Sequence, residues 1–260
     1  MGNRKGLKQG IMTQNIILEI CANSLTSALE AQSGGADRIE LCESLELGGV
    51  TPSPGTLRLC REKLSIPIHV LVRPRGGDFL YSDEEYDVMK EDVLYCKSIG
   101  INGIVTGILL PDGRIDKARC AELKSLAEPM SISFHRAFDF CRDPFEALED
   151  LISLGFERIL TAGQQNTVPQ GLALIKTLVG RANGRIIIMP GSGVDENNIR
   201  EILAQSGATE IHTTAKISTD GPMQYRKDTV GLSISLDESG YGRVGTDRRR
   251  VQELCTIIGK

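Results

Sequence analysis

A six-residue motif that recurs four times constrains this chain more than any other feature. Gly-Ala-Asp-Arg-Ile-Glu (35–40), Gly-Ile-Asn-Gly-Ile-Val (100–105), Gly-Phe-Glu-Arg-Ile-Leu (155–160) and Gly-Ala-Thr-Glu-Ile-His (207–212) each place glycine first and isoleucine fifth. Each glycine stands where an amphipathic segment ends, the left-handed position that closes many helices. Each motif runs directly into a short apolar stretch with strand character. The four copies precede strands two, four, six and eight, while odd strands enter through Ile66-Pro67, Glu128-Pro129 or Asn183-Gly184. Four two-strand units in 260 residues predict an α/β fold, a single (β/α)8 TIM-type barrel, which takes about 250 residues.

The strand candidates are Ile16–Cys21, Arg38–Cys42, Ile68–Val72, Gly103–Thr106, Ser131–His135, Arg158–Thr161, Ile186–Met189 and Glu210–Thr213. Between them, Leu25–Ser33, Glu84–Ser98, Pro144–Leu154 and Asp195–Ser206 show apolar spacings of three and four, with Asp83, Asp143 and Asp195 expected as N-caps. Such alternation requires parallel strands joined by helical crossovers. Residues 1–15 read as a disordered N-terminal extension, without the apolar core of a secretory signal, and 16–260 as the barrel domain. Residues 214–246, rich in Gly and Ser, interrupt the rhythm and suit a lid, an oligomer contact or a mobile loop; a helix is expected over Thr246–Ile257.

Thirty basic and 34 acidic residues give a formal net charge of −4, which argues against non-specific binding to nucleic acid or anionic membranes. No apolar run reaches the length of a membrane span. Seven cysteines are dispersed, no two closer than 18 residues, so no CxxC motif exists and reduced thiols in a cytoplasmic protein are expected.

In such a barrel the site lies where strands end, so a polar residue inside an apolar strand is informative. Strand one reads Leu-Glu-Ile-Cys (18–21) and strand two Ile-Glu-Leu-Cys (39–42). The period of two puts Glu19 with Cys21 on one face and Glu40 with Cys42 on another. A carboxylate there needs a partner, and the two glutamates suit either a structural layer with arginines or catalysis. After strand three, Arg73 and Arg75 flank a proline and could bind an anion or neutralise Glu19 and Glu40. Strand five ends in Phe-His-Arg-Ala-Phe-Asp (134–139): His135 suits proton transfer, Asp139 could orient it or hold a substrate hydroxyl, and Arg136 could bind ligand. Thr161 and Gly163 after strand six, Gly191, Ser192 and Gly193 after strand seven, and His212 on strand eight complete the candidate ligand set. Glycine-rich backbone after strand seven sits at the usual phosphate position of this fold. Cys21 and Cys42, on neighbouring strands about 4.8 Å apart, are the metal candidates; two thiolates suit a soft ion such as Cu(I).

At these residues the chain resembles the CutC copper homeostasis family, and its eukaryotic members most. The matching stretches are Leu-Glu-Ile-Cys (18–21), Gly-Gly-Ala-Asp-Arg-Ile-Glu-Leu-Cys (34–42), Gly-Gly-Val-Thr-Pro-Ser (48–53), Arg-Pro-Arg-Gly-Gly-Asp-Phe-Leu-Tyr-Ser (73–82), Phe-His-Arg-Ala-Phe-Asp (134–139) and Leu-Thr-Ala-Gly-Gln (160–164). The resemblance implies a TIM-type barrel, a cytoplasmic homo-oligomer (dimer or tetramer) and a role in copper handling. It also implies Cu(I) binding at Cys21 and Cys42. Ser192 departs from the family, where Gly or Ala is frequent. The alternative reading is an enzyme that acts on a small anionic metabolite at the C-terminal mouth of the barrel, through Glu19, Glu40, Arg73, Arg75, His135 and Asp139.

Overall fold

The computed structural model describes residues 15–227 and 240–260. The expected N-terminal extension therefore lies, but for Asn15, outside the described residues. Eight parallel strands alternate with helices: β1 (Ile17–Ala22), α1 (Leu25–Gly34), β2 (Arg38–Leu41), α2 (Pro54–Lys63), β3 (Ile68–Leu71), α3 (Asp83–Ser98), β4 (Gly103–Thr106), α4 (Lys117–Ala127), β5 (Ser131–Phe134), α5 (Pro144–Leu154), β6 (Arg158–Thr161), α6 (Val168–Ala182), β7 (Ile187–Pro190), α7 (Ile199–Ser206) and β8 (Glu210–Thr213). A hairpin of β9 (Lys216–Asp220) and β10 (Gly242–Thr246) precedes α8 (Arg248–Ile257). Every expected strand forms, with ends shifted by at most one residue. The barrel is a TIM-type (β/α)8 fold.

The sheet order β7-β6-β5-β4-β3-β2-β1-β8 leaves one seam, between β7 and β8. A parallel bridge from Gly191 to His212 draws it together. Glycine is required there because a Cβ on Gly191 would stand 2.4 Å from Leu160 Cδ1 and 3.0 Å from His212 Cβ. The four repeat glycines, Gly35, Gly100, Gly155 and Gly207, all take positive φ, between 73° and 100°, where a helix ends and the chain turns into an even strand.

Helix starts follow local chemistry. Asp143 caps α5 by accepting from the amides of Phe145 and Glu146, with Pro144 in the first turn. At α3 the cap is Ser82 rather than Asp83: its hydroxyl accepts from Glu85 N while the Glu85 carboxylate returns to Ser82 N, a reciprocal capping box. At α7 the helix starts at Ile199, not at Asp195, because the chain first turns through Asp195–Asn198. The Gly191–Gly193 loop thus does not abut a helix N-terminus.

Alternation along the strands separates two environments. Leu18, Ile20, Ile39, Leu41, Ile68, Val70, Ile104 and Ile159 point outward and are buried beneath the helices in the main apolar core. Their neighbours, among them Glu19, Arg38, Glu40, His69, Ser133, Arg158, Glu210 and His212, are also buried yet polar. Bulky apolar side chains ordinarily fill such an interior. Here charge fills much of it.

Candidate functional site

Strand register decides what each inward residue meets. Although β1 and β2 carry the same Glu-x-Cys unit, the barrel's shear pairs Glu19 with Arg38 and Cys21 with Glu40. The two glutamates therefore stand at different heights. Glu19, fully buried, accepts from Arg38 Nε at 2.5 Å and holds His212 Nδ1 at 2.8 Å. Arg38 also reaches Glu210 at 2.5 Å, and Arg158 reaches the same carboxylate at 3.2 Å. Burial opposes the ionised form of Glu19, yet Arg38 and His212 outweigh it and hold the carboxyl well below its usual range. This lower layer is a closed network of charges, and Glu19 pairs with Arg38 rather than with Arg73 or Arg75.

Above it lies a cavity of about 730 Å³ at the strand ends, whose lining includes Cys21, Glu40, Leu71 and His212 as well as Arg73, Phe79, His135 and Arg136. Ligand atoms of Cys21, Glu40 and His212 lie within 4.8 Å of one another. Cys42, two residues beyond Glu40 and just past the end of β2, has its Sγ 3.5 Å from Cys21 Sγ. Leu71 and Val105 pack around the two thiols. With Nδ1 engaged by Glu19, His212 has Nε2 left for a ligand, the arrangement in which a carboxylate fixes the tautomer of a metal-binding histidine. Contact with Cys42, then burial, push the Cys21 thiol well above its ordinary range. Burial raises the Glu40 carboxyl, whose Oε2 has no hydrogen-bond partner. Burial disfavours the His212 imidazolium, but Glu40 and Glu19 overcome it and raise its pKa. Cys21, Glu40 and His212 can thus offer one sulfur, one oxygen and one nitrogen to a cation, with the Cys42 sulfur beside that of Cys21, and a cation that takes the thiols displaces their protons.

His135 also lines the cavity. Its Nδ1 accepts from Ala137 N at 3.1 Å, and its Nε2 is buried without a partner. Burial, then the charge of Arg73, lower its pKa to about 3, so the ring is neutral with its proton on Nε2. Arg73 donates to the carbonyls of Leu47, Gly49 and Gly77 at 2.7–2.9 Å, bracing two loops.

Besides Glu19 and Cys42, which do not line the cavity, four further sequence candidates stand apart from it. Arg75 turns away and holds Glu85 at 2.5 Å and the carbonyl of Leu80 at 2.7 Å, so it fastens the loop after β3. Asp139 does not orient His135; it accepts from Arg136 Nε at 2.7 Å, Thr161 Oγ1 at 2.5 Å and the amides of Ala162 and Gln164. Those bonds also consume Thr161. Gly163 is required by packing, since a Cβ there would meet Gly171 O at 2.3 Å. Gly191, Ser192 and Gly193 do line the cavity, although the Ser192 hydroxyl is bonded to Asn166 O. Residues that sequence reasoning left out are His69 and Phe79. His69 sits 3.9 Å from Glu19, and Phe79 sits 4.9 Å from the His135 ring. The period of two marks His69 as inward, a usable signal; nothing local marks Phe79, which a loop carries into place.

A sequence model of the CutC family matches residues 16–217. A human relative named "Copper homeostasis protein cutC homolog" is 47% identical over 93% of this chain and 88% of its own length. A CutC family protein of Parabacteroides distasonis is 49% identical over 91% of this chain and 98% of its own, so eukaryotic and bacterial relatives are about equally similar. Among solved structures, the CutC of Streptococcus agalactiae superposes with a TM-score of 0.74 at 35% identity, over 76% of this chain and 98% of that one. Phosphoribosyl anthranilate isomerase of Thermotoga maritima, at 13% identity and a TM-score of 0.55 over 94% of this chain and 98% of that one, shares the fold.

Proposed function

The chain belongs to the CutC family, and from that premise we propose that it serves copper homeostasis by holding Cu(I) on the paired thiols of Cys21 and Cys42. The observation that carries this reading is the 3.5 Å separation of the Cys21 and Cys42 sulfurs, with Cys21 also within 4.8 Å of ligand atoms of His212 and Glu40. Thiolate sulfur is the soft donor that Cu(I) selects over carboxylate oxygen. In this reading Cys21 and Cys42 bind, and His212 supplies a third donor steadied by Glu19. Copper is the cargo, and the open cavity above the thiols is its route in and out.

The same reading places the protein in the cytoplasm, where its seven buried, unpaired cysteines stay reduced, and makes it a homo-oligomer. None of the described helices is long and apolar enough to cross a membrane. Cu(I) titration against a strong competing chelator tests the site. The native chain is expected to retain one Cu(I) with an affinity at least 100-fold above that of Cys21→Ser/Cys42→Ser. Equal affinities would reject the thiol site.

A further inference from the structure

We propose that the part of the cavity lined by Arg73, Phe79, His135 and Arg136 is a second binding site, for a small organic anion with an apolar body. Small-molecule sites occupy about 300–1,000 Å³, and a cavity of about 730 Å³ falls within that span. A lone metal ion needs far less. Arg73 lines this part, is 5% exposed, and forms no ion pair with any carboxylate among the described residues. Its three carbonyl partners satisfy hydrogens but leave the positive charge uncompensated. A buried cation without a counter-charge is costly, and an anionic oxygen supplied by a ligand relieves it.

Beside it, His135 presents a neutral Nε2–H, buried and unpartnered, which can donate but not repel. Arg136 lines the same cavity, with a half-buried guanidinium. Phe79 lies between the two: its ring is 5.1 Å from the Arg73 guanidinium carbon and 4.9 Å from the His135 ring. Phe140, edge-on to Phe79 at 5.3 Å and 66% exposed, and Leu47, 53% exposed, extend this apolar surface to the rim. Charge at the base and aromatic carbon above fit a carboxylate attached to a hydrocarbon better than inorganic phosphate.

The test uses the full, metal-free chain, so neither result bears on copper. Thermal stability and calorimetric binding are followed with hexanoate, benzoate, acetate and inorganic phosphate at constant ionic strength. Saturable stabilisation is expected from hexanoate and benzoate, at least tenfold tighter than from acetate or phosphate, and at least tenfold weaker in Arg73→Met. Because Arg73 braces two loops, that variant can fail to fold, and a measurement on the native chain decides independently. With only three histidines to assign, two-bond proton–nitrogen spectra should show the His135 Nε2 resonance move with benzoate while that of His69, deeper in the barrel, stays. No saturable binding, phosphate binding tighter than benzoate, or a stationary His135 signal would overturn the proposal.

Discussion

Glu19 and Glu40 occupy equivalent places in two nearly identical strand sequences, yet the barrel treats them oppositely. Glu19 is level with Arg38 and is ionised within a network that also includes Glu210, Arg158 and His212. Glu40 is level with Cys21, its Oε2 has no partner, and burial favours its protonated form. Apart from His69 Nδ1, which has no hydrogen-bond partner, the lower layer is polar but mutually satisfied, so it acts as structure. The mouth is polar and incompletely satisfied, and unfilled hydrogen-bonding and coordinating capacity is what a ligand needs. Burial and charge alone do not distinguish the two layers; pairing does.

The largest expected effect separates the two glutamates by stability. Glu19→Leu leaves Arg38 and His212 without a shared counter-charge and should cost about 3–5 kcal/mol. Glu40→Gln changes a carboxyl that has no ion-pair partner and whose Oε2 has no hydrogen-bond partner, and should change stability by less than about 1 kcal/mol. Denaturant unfolding of both variants checks this, and equal losses would erase the distinction between layers.

A smaller effect concerns acid. Burial, the largest influence in each case, depresses His69 and His135 to about 3 from 6.5. The unfolded chain therefore binds their protons first, and stability should decline as pH falls from 6.5 towards 3, by up to about 1.4 kcal/mol per pH unit for each ring. His212 has a raised pKa and acts in the opposite sense, but only above its unfolded value, where stability declines as pH rises. His69→Gln or His135→Gln should flatten the acid limb measured by chemical denaturation at stepped pH, and an unchanged slope in both would contradict neutral burial. Smallest of all is Arg75→Ala, which removes a partly exposed ion pair with Glu85. It should cost no more than about 1 kcal/mol and leave Cu(I) affinity unchanged. A lost Cu(I) site would return Arg75 to the mouth.

The fold was legible because its punctuation is local. A left-handed glycine before each even strand and apolar runs of fixed length need no tertiary knowledge. The inward set, including Cys21, Glu40, His135 and His212, followed from the period of two. Register did not, because it depends on the shear of the closed barrel, and so the sequence leaves open which arginines meet Glu19 until the register sets it beside Arg38. Loop residues were least readable. Arg73 and Arg75 differ by one proline in sequence, yet one braces the cavity wall and the other clamps α3, a difference set by how the loop after β3 folds back. Asp139 looked like a partner for His135 because the two are close in sequence, whereas the amides after β6 capture it. The hairpin Lys216–Asp220 and Gly242–Thr246 arose where a lid, an oligomer contact or a mobile loop was expected; residues 228–239 lie outside the described residues.

Copper K-edge X-ray absorption of the Cu(I)-loaded chain addresses the thiol pair most directly. Two sulfur scatterers in the first shell are expected for the native protein, with one lost in Cys42→Ser. A shell of nitrogen and oxygen alone, or one that Cys42→Ser leaves intact, would contradict it.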